Sequence, residues 1–272
     1  MKPPYETSAK LALPQLELYL GLENEGTRMI TETSTETVNA NPKGGNASYE
    51  PLSSVWEGSD GELLEAMLNF YQTIAPEPIL DATYNAGRFW TDSMRQVVSM
   101  DIDPQYKTMI VGDNREMIGV ESSSFGTVVF DPPHVGPQGR GKSKKRFDVD
   151  FGATIECGKE HNWNLSYLYP PFLKQAKRVL KPEGLLLAKI TDMVNNHKSK
   201  WPHCDFMQMA EEAGFTVCDL IVKIRRGPMV SNKWKEAHHA RKRHCFWIIC
   251  RNGNSCERDL KSSLAGKDRP NG

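Results

Sequence analysis

Residues 79–90 read ILDATYNAGRFW, and residues 127–134 read TVVFDPPH. Each is a short apolar run that stops on an aspartate and passes directly into turn-forming residues. Such a run reads as a buried strand followed by a tight turn at its carboxyl end. In the first, Gly87 tolerates a positive φ outright, and Asn85 is the next-best residue for a left-handed conformation. In the second, Pro132 and Pro133 fix φ, and Pro132 restricts Asp131 as well. That predicts a rigid projection holding a carboxylate and a backbone carbonyl at the end of a strand.

The same pattern recurs between these two stretches. Val97 to Asp101 and Met109 to Val111 read as further short strands, the second followed by Gly112-Asp113-Asn114. Asp101 lies twenty residues beyond Asp81, where a carboxylate suits a ribose diol in dinucleotide-type folds. Asp113 follows twelve residues later, where an acid can accept from an adenine amino group. Asp103 reads as a cap for the segment after it. The set of three acids behind three successive strands does not reduce to capping. The chain contains no P-loop lysine motif, which disfavours a nucleoside triphosphate. The first turn also lacks the run of small residues that brings backbone against a pyrophosphate. A nucleoside cofactor without a pyrophosphate, S-adenosylmethionine first, is the better fit.

Further out, Ser59 and Asp60 can cap a helix whose apolar positions Leu63, Leu64, Met67, Leu68, Tyr71 and Ile74 recur at helical spacing. Pro76 and Pro78 end it. Pro171 to Leu180 reads as a helix closed by Lys181 to Gly184, Leu185 to Ile190 as a strand, and Phe206 to Ala213 as a helix ended by Gly214. Val217 to Ile224 and Cys245 to Cys250 read as two final strands, joined by a basic loop and therefore expected antiparallel. The fold class expected is α/β: a Rossmann-like, mostly parallel sheet with an antiparallel terminal strand and helices on both faces. Ligands then sit at the carboxyl ends of the strands.

The chain has 272 residues, 39% of them hydrophobic, with mean hydropathy −0.53. Residues 1–51 are expected to be a disordered acidic tail, 52–252 the folded domain, and 253–272 a flexible tail. No run of 18 apolar residues occurs, and the first residues, MKPPYETSAK, lack the apolar core of a secretory signal. A cytoplasmic location is expected. Six cysteines in so long a chain read as reduced thiols rather than a disulfide scaffold. No metal is expected, because the His and Cys residues between His238 and Cys256 match no ligand-pair spacing.

The zero net charge hides an asymmetry. Residues 1–65 carry eleven acids against four bases, whereas residues 223–243 carry eight bases against one acid. Residues 138–146 add Arg140, Lys142, Lys144, Lys145 and Arg146 with no acid. Two concentrated basic segments on a neutral chain point to a polyanionic partner, although one charge run alone is more often a solvated loop. Between them, the stretch from Val135 to Tyr169 adds Phe147, Phe151, Trp163, Tyr167 and Tyr169, which suits a backbone clamp with a base-stacking surface.

The motifs SSVW (53–56), ILDATYNAGRFW (79–90), MDIDP (100–104), GDNREM (112–117), FDPPH (130–134) and HCFWIICR (244–251) together resemble a class I S-adenosylmethionine-dependent methyltransferase. More narrowly, they are similar to the amino-group DNA methyltransferases with a DPPY-like motif, adenine or cytosine specific, and their phage-type relatives. The resemblance implies that Asp81, Asn85 and Gly87 surround the methionine part of the cofactor, with Thr83 and Tyr84 from the same loop and Trp56 as a cover. It implies that Asp101 holds the ribose and Asp113 with Asn114 the adenine. Asp131, Pro132, Pro133 and His134 would position the target amino group, and Arg140, Lys142, Lys144, Lys145 and Arg146 would contact the nucleic acid. Two positions depart from the family pattern: Asn85 stands where Gly is usual, and His134 where Tyr or Phe is usual.

The expected function is therefore methyl transfer to an exocyclic amino group of a nucleic-acid base, adenine in DNA ahead of cytosine. A base inside a duplex must be flipped out for this. An RNA base methyltransferase and a non-catalytic nucleic-acid-binding protein on the same fold are the alternatives. No recognition domain of its own is visible, so sequence specificity is loop-borne or supplied by a partner.

Overall fold

The structure is a computed structural model that describes residues 51–71, 75–133, 167–195, 198–225, 239–240 and 242–254. Ten strands are described: β1 (Val55–Trp56), β2 (Ile79–Asp81), β3 (Val97–Asp101), β4 (Ile110–Val111), β5 (Phe125–Phe130), β6 (Leu180–Ile190), β7 (Met193–Asn195), β8 (Lys198–Lys200), β9 (Thr216–Ile224) and β10 (His244–Arg251). Eight of them form the central sheet, in the order β1-β9-β10-β6-β5-β2-β3-β4, and β7 pairs with β8 in a separate hairpin. All neighbours in the central sheet run parallel except at β10, which is antiparallel to both β6 and β9. This is the expected Rossmann-like α/β sheet with its antiparallel final strand.

The chain moves from β2 outward to β3 and β4, then returns to β5 on the other side of β2. That reversal opens a crevice at the carboxyl ends of β2 and β5, the topological switch point where doubly wound sheets bind ligands. Among the described residues three helices cover the sheet: α1 (Asp60–Tyr71), α2 (Tyr169–Val179) and α3 (Pro202–Glu212). Period-two alternation in the strands sorts the core into two layers. Val128 and Phe130 of β5, Leu186 and Ala188 of β6, and Ile248 of β10 pack with α2 and α3. Val129, Leu185, Leu187, Trp247 and Ile249 face the other way and pack with α1. Phe130 anchors the first layer, stacked on Phe172 of α2 with ring centroids 3.6 Å apart.

Several expected boundaries shift. The strand β6 starts at Leu180 rather than Leu185, so Lys181 to Gly184 lie within an irregular strand entry, with Glu183 at φ 62°. Asn252 satisfies the end of α2 there, its Nδ2 donating to the carbonyls of Leu180 and Lys181. The helix α3 begins a turn earlier than the apolar spacing indicates, because Pro202 pre-sets its first residue. Among the described residues, the connections from β2 to β5 hold turns and one short 3-10 segment (Pro104–Tyr106) instead of helices. The thiol expectation holds for Cys204, Cys245 and Cys250, but Cys218 is disulfide-bonded.

The start of α1 is a reciprocal capping box. Ser59 Oγ accepts from the Glu62 backbone N–H at 3.1 Å, and Glu62 Oε2 accepts from the Ser59 N–H at 2.7 Å. Hydrogen bonding from the Ser59 backbone N–H, and secondarily from its side chain, also keeps the Glu62 carboxyl below its ordinary range. The cap fixes the position of Asp60, the residue through which α1 reaches the sheet. Ser59→Ala should lower stability to urea by about 1 kcal/mol, the usual cost of a lost N-cap.

Candidate functional site

The crevice at the switch point is a cavity of about 240 Å³. Most of its walls come from the ends of β2, β3, β4 and β5 and the residues that follow them, so the sheet order gathers separate chain segments into one site. Thr83, Asn85, Asp101, Asp113, Asn114, Asp131, Pro132 and Pro133 line it. Sequence reasoning singled out each of these. Ala82, Ile102, Tyr106, Arg115 and Leu168 also line it and were not singled out. Ala82, Ile102 and Arg115 adjoin residues that were, so position next to a strand-end acid was their only sequence signal. Tyr106 is carried inward by the turn that Asp103 caps through the Gln105 N–H at 2.9 Å.

The loop after β2 is organised by carboxylates. Asp101 Oδ2 accepts from the Asn85 N–H at 2.8 Å, and its Oδ1 accepts from the Asp103 N–H at 2.9 Å. Asn85 sits at φ 49° and Gly87 at φ 66°, as the turn chemistry requires. Asn85 supplies the left-handed conformation at a position where glycine would be the easy choice. Partial burial raises the Asp101 carboxyl above its ordinary range, against the two N–H bonds that favour its ionised form. Asp113 accepts the Arg115 guanidinium through both oxygens and also takes the Arg115 N–H at 2.8 Å. Asn114 Nδ2 donates to the Ala82 carbonyl at 3.0 Å and ties the β4 loop to the β2 loop.

Asp131 is held at two points. Its backbone N–H donates to Thr83 Oγ1 at 2.7 Å. Its Oδ2 accepts from Lys189 Nζ at 3.3 Å, and the same ammonium donates to Asp60 Oδ2 at 3.0 Å. Lys189 lies 4.9 Å from the Phe89 ring centroid, a cation–π contact over a buried cation. Burial pulls the Lys189 ammonium down, but the carboxylates of Asp131 and Asp60 outweigh it and raise its pKa, so it is charged at neutral pH. Lys189 is thus the cation paired with Asp131, shared with Asp60.

Four predicted residues lie outside the cavity wall. Asp81 is 1% exposed; its Oδ2 accepts from the Trp90 indole N–H at 2.7 Å and its Oδ1 from the Thr83 N–H at 3.1 Å. It therefore supports the loop from behind. Tyr84 packs against the α1 layer, and its ring lies where a side chain at Gly87 would go. Trp56 packs on the same layer and donates to the Ser59 carbonyl at 3.1 Å. His134, Arg140, Lys142, Lys144, Lys145 and Arg146 lie outside the described residues. The second basic segment is described only near its ends, where the Arg225 N–H donates to the Arg243 carbonyl and Arg225 Nη2 to Thr191 Oγ1 at 2.6 Å. Those ends stand beside the carboxyl end of β6. Among the described residues no group of side chains is arranged to hold a metal, and no helix is long and apolar enough to cross a membrane.

No protein-family model matches the sequence, and no curated protein matches it. Solved structures overlap it in part. A protein of Thermus thermophilus, provisionally assigned as a DNA modification methylase and complexed with S-adenosyl-L-methionine, is 16% identical with TM-score 0.37. The overlap covers 56% of this chain and 57% of that one, so this chain spans little more than half of its length. A 1,6-didemethyltoxoflavin-N1-methyltransferase of Burkholderia thailandensis, with S-adenosylhomocysteine bound, is 13% identical over 72% of this chain and 77% of that one, with TM-score 0.42. A TehB-like SAM-dependent methyltransferase of Corynebacterium glutamicum is 18% identical over 70% and 85%, with TM-score 0.39. At these scores the overlaps are partial, and no substrate follows from them.

Burial pushes the Asp81 carboxyl up to about 7, and the charges of Asp131 and Asp101 add to this against the Trp90 and Thr83 bonds. A folded value above the ordinary 3.8 means that the fold prefers the neutral acid. This group's contribution to stability is full at acid pH, declines as pH rises from about 4 to about 7, and is constant above. The titration has an optical readout through Trp90. Tryptophan emission should show a step centred about pH 7 that Trp90→Phe removes.

Proposed function

We propose that this chain is an S-adenosylmethionine-dependent methyltransferase acting on an exocyclic amino group of a nucleic-acid base, adenine in DNA first. The observation that carries the reading is the shared cavity. Asp131, Pro132 and Pro133 stand on the same wall system as Asp101, Asp113 and Asn114. An amino-group acceptor thus opens into a pocket whose other polar groups suit a nucleoside.

The residues fit that cofactor class. The lining carboxylates accept from hydroxyl and amino groups and favour a cation, and they repel a polyphosphate. The one arginine in the lining, Arg115, is engaged by Asp113. In this assignment Asp101 takes the ribose hydroxyls, and Asp113 with Asn114 borders the adenine. When bound, S-adenosylmethionine supplies the methyl group.

The protein's own contribution is at the acceptor. An exocyclic amine is a poor nucleophile because its lone pair is delocalised into the ring. Acceptors on its two hydrogens draw the nitrogen toward tetrahedral geometry and free the lone pair. Asp131 supplies one acceptor, and the backbone held by Pro132 and Pro133 supplies the other. Lys189 faces Asp131 at 3.3 Å and favours negative charge on that acceptor. Thr83 Oγ1 fixes the backbone from which it projects. These are positioning and electrostatic effects, worth several kcal/mol when preorganised. The basic segments at 138–146 and 223–243 support a nucleic-acid substrate by their charge. The FDPPH motif serves DNA and RNA substrates alike; DNA is placed first on the resemblance of the whole motif set to the amino-group DNA methyltransferases.

The test is methyl transfer from labelled S-adenosylmethionine to duplex DNA, single-stranded DNA and bulk RNA, alongside calorimetry. Wild type should bind the cofactor. Asp101→Ala should weaken binding by about 1–3 kcal/mol, the loss expected when a charged partner goes. Asp131→Ala should bind it yet transfer methyl on the order of a hundredfold more slowly. Absence of binding heat in the wild type refutes the reading. Transfer to RNA alone replaces the DNA substrate with an RNA one.

The nucleic-acid part has its own readout. Replacing Lys142, Lys144, Lys145 and Arg146 with Gln should lower affinity for every duplex sequence and flatten its salt dependence, because fewer counterions are released. An unchanged slope in filter binding across a salt series would assign that segment to the solvent.

A further inference from the structure

Three side chains beyond the cavity form a connected chain of polar atoms. Asp192 follows β6 at the same carboxyl edge as Asp131, three residues past Lys189. The residue is 2% exposed, and its Oδ1 lies 2.5 Å from His203 Nδ1. His203 is the second residue of α3. Its ring stacks on Phe246 with centroids 4.0 Å apart and planes 22° from parallel, so the imidazole is fixed on a face and at an edge. Its other nitrogen, Nε2, lies 3.3 Å from Cys204 Sγ. Cys204 is exposed and sits in the first turn of α3, where the backbone N–H groups leave a partial positive charge.

This is the arrangement of nucleophile, base and orienting acid that activates thiols and hydroxyls in unrelated folds. An ionised Asp192 can only accept, so Nδ1 carries the proton between them and Nε2 faces the thiol with its lone pair. The buried Oδ2 of Asp192 has no hydrogen-bond partner among the described residues, which leaves its charge directed at the imidazole. The other free thiols among the described residues contrast with it in burial. Cys245 and Cys250 are buried in the sheet, and burial raises both, Cys250 to about 12. Lys242 places its ammonium 4.1 Å from the Trp201 ring centroid at the start of α3, which favours an anionic reagent there.

We propose that Cys204 is a nucleophilic thiol, with His203 as its base and Asp192 as the positioning residue, and that it is a site of covalent thiolation by small anionic disulfides. The Cys204 proton passes to His203 Nε2. The Sγ lone pair attacks one sulfur of the disulfide; the new Sγ–S bond forms as the reagent's S–S bond breaks. The departing thiolate takes the proton, so one thiol and one disulfide give one mixed disulfide and one thiol. The site uses none of the cavity residues, and its test is independent of methyl transfer.

The experiment treats the full chain with oxidised glutathione near neutral pH and maps the adduct by mass spectrometry. Iodoacetamide rates at Cys204 are measured in parallel, for the folded chain and for the same chain in urea. The folded chain should react at Cys204 about tenfold faster than the unfolded one, the scale set by the small thiolate fraction of an ordinary cysteine at neutral pH. The glutathione adduct should map to Cys204 and vanish in Cys204→Ser. His203→Gln, checked for folding by circular dichroism, should lose the rate advantage. An equal rate in folded and unfolded chains overturns the proposal, whatever the folding of the variant. So does a folded His203→Gln that reacts at the wild-type rate, or an adduct that maps elsewhere.

Discussion

The ammonium of Lys189 joins three elements that the chain delivers separately. It lies on β6, between Asp60 of α1 and Asp131 at the end of β5, and is nearly closed off from water. A buried cation needs compensating charge, and two carboxylates supply it here. The second oxygen of Asp60 accepts from the Trp247 indole at 2.9 Å, which extends the link to β10. The helix α1 is therefore registered on the sheet by directional bonds as well as by its apolar face. Asp131 reaches the cavity with its charge already partly offset.

The rest of the site follows from where the strands end. In a parallel sheet the carboxyl ends lie on one edge, and the acids that terminate β2, β3 and β5 are brought together with Asp113 after β4. Like charges so gathered would repel, and each is dealt with differently. Asp131 is paired with Lys189, Asp113 with Arg115, and Asp101 with two backbone N–H groups. Asp81, buried behind them, instead holds its proton up to about 7. The edge thus gathers three acceptors that each have a partner, while burial holds back the charge of the fourth acid below about pH 7.

The same edge continues past β6 into the Asp192, His203 and Cys204 series. The two constellations are adjacent because β6 supplies both Lys189 and the start of the Asp192 segment. They remain chemically separate. One presents acceptors to a nucleoside-sized cavity, and the other presents a sulfur atom to solvent.

Much of this is legible in the order of the amino acids. The apolar runs ending at Asp81, Asp101 and Asp131 mark strands, because a buried strand is apolar and its ligand end is not. Eight of the predicted site residues line one cavity for that reason. The sequence alone also determined the helix cap at Ser59 and the left-handed positions at Asn85 and Gly87, since local backbone chemistry decides them. Only the tertiary structure decided that Asp81 faces Trp90 and is screened from the cavity. Only the fold brought Lys189 between Asp60 and Asp131, residues 129 and 58 positions away. The physical reason is that a charge or a hydrogen-bond donor leaves no periodic trace in sequence. Apolar spacing records which face of an element is buried, whereas the partner of a buried polar atom is chosen by strand order and by crossings between distant segments.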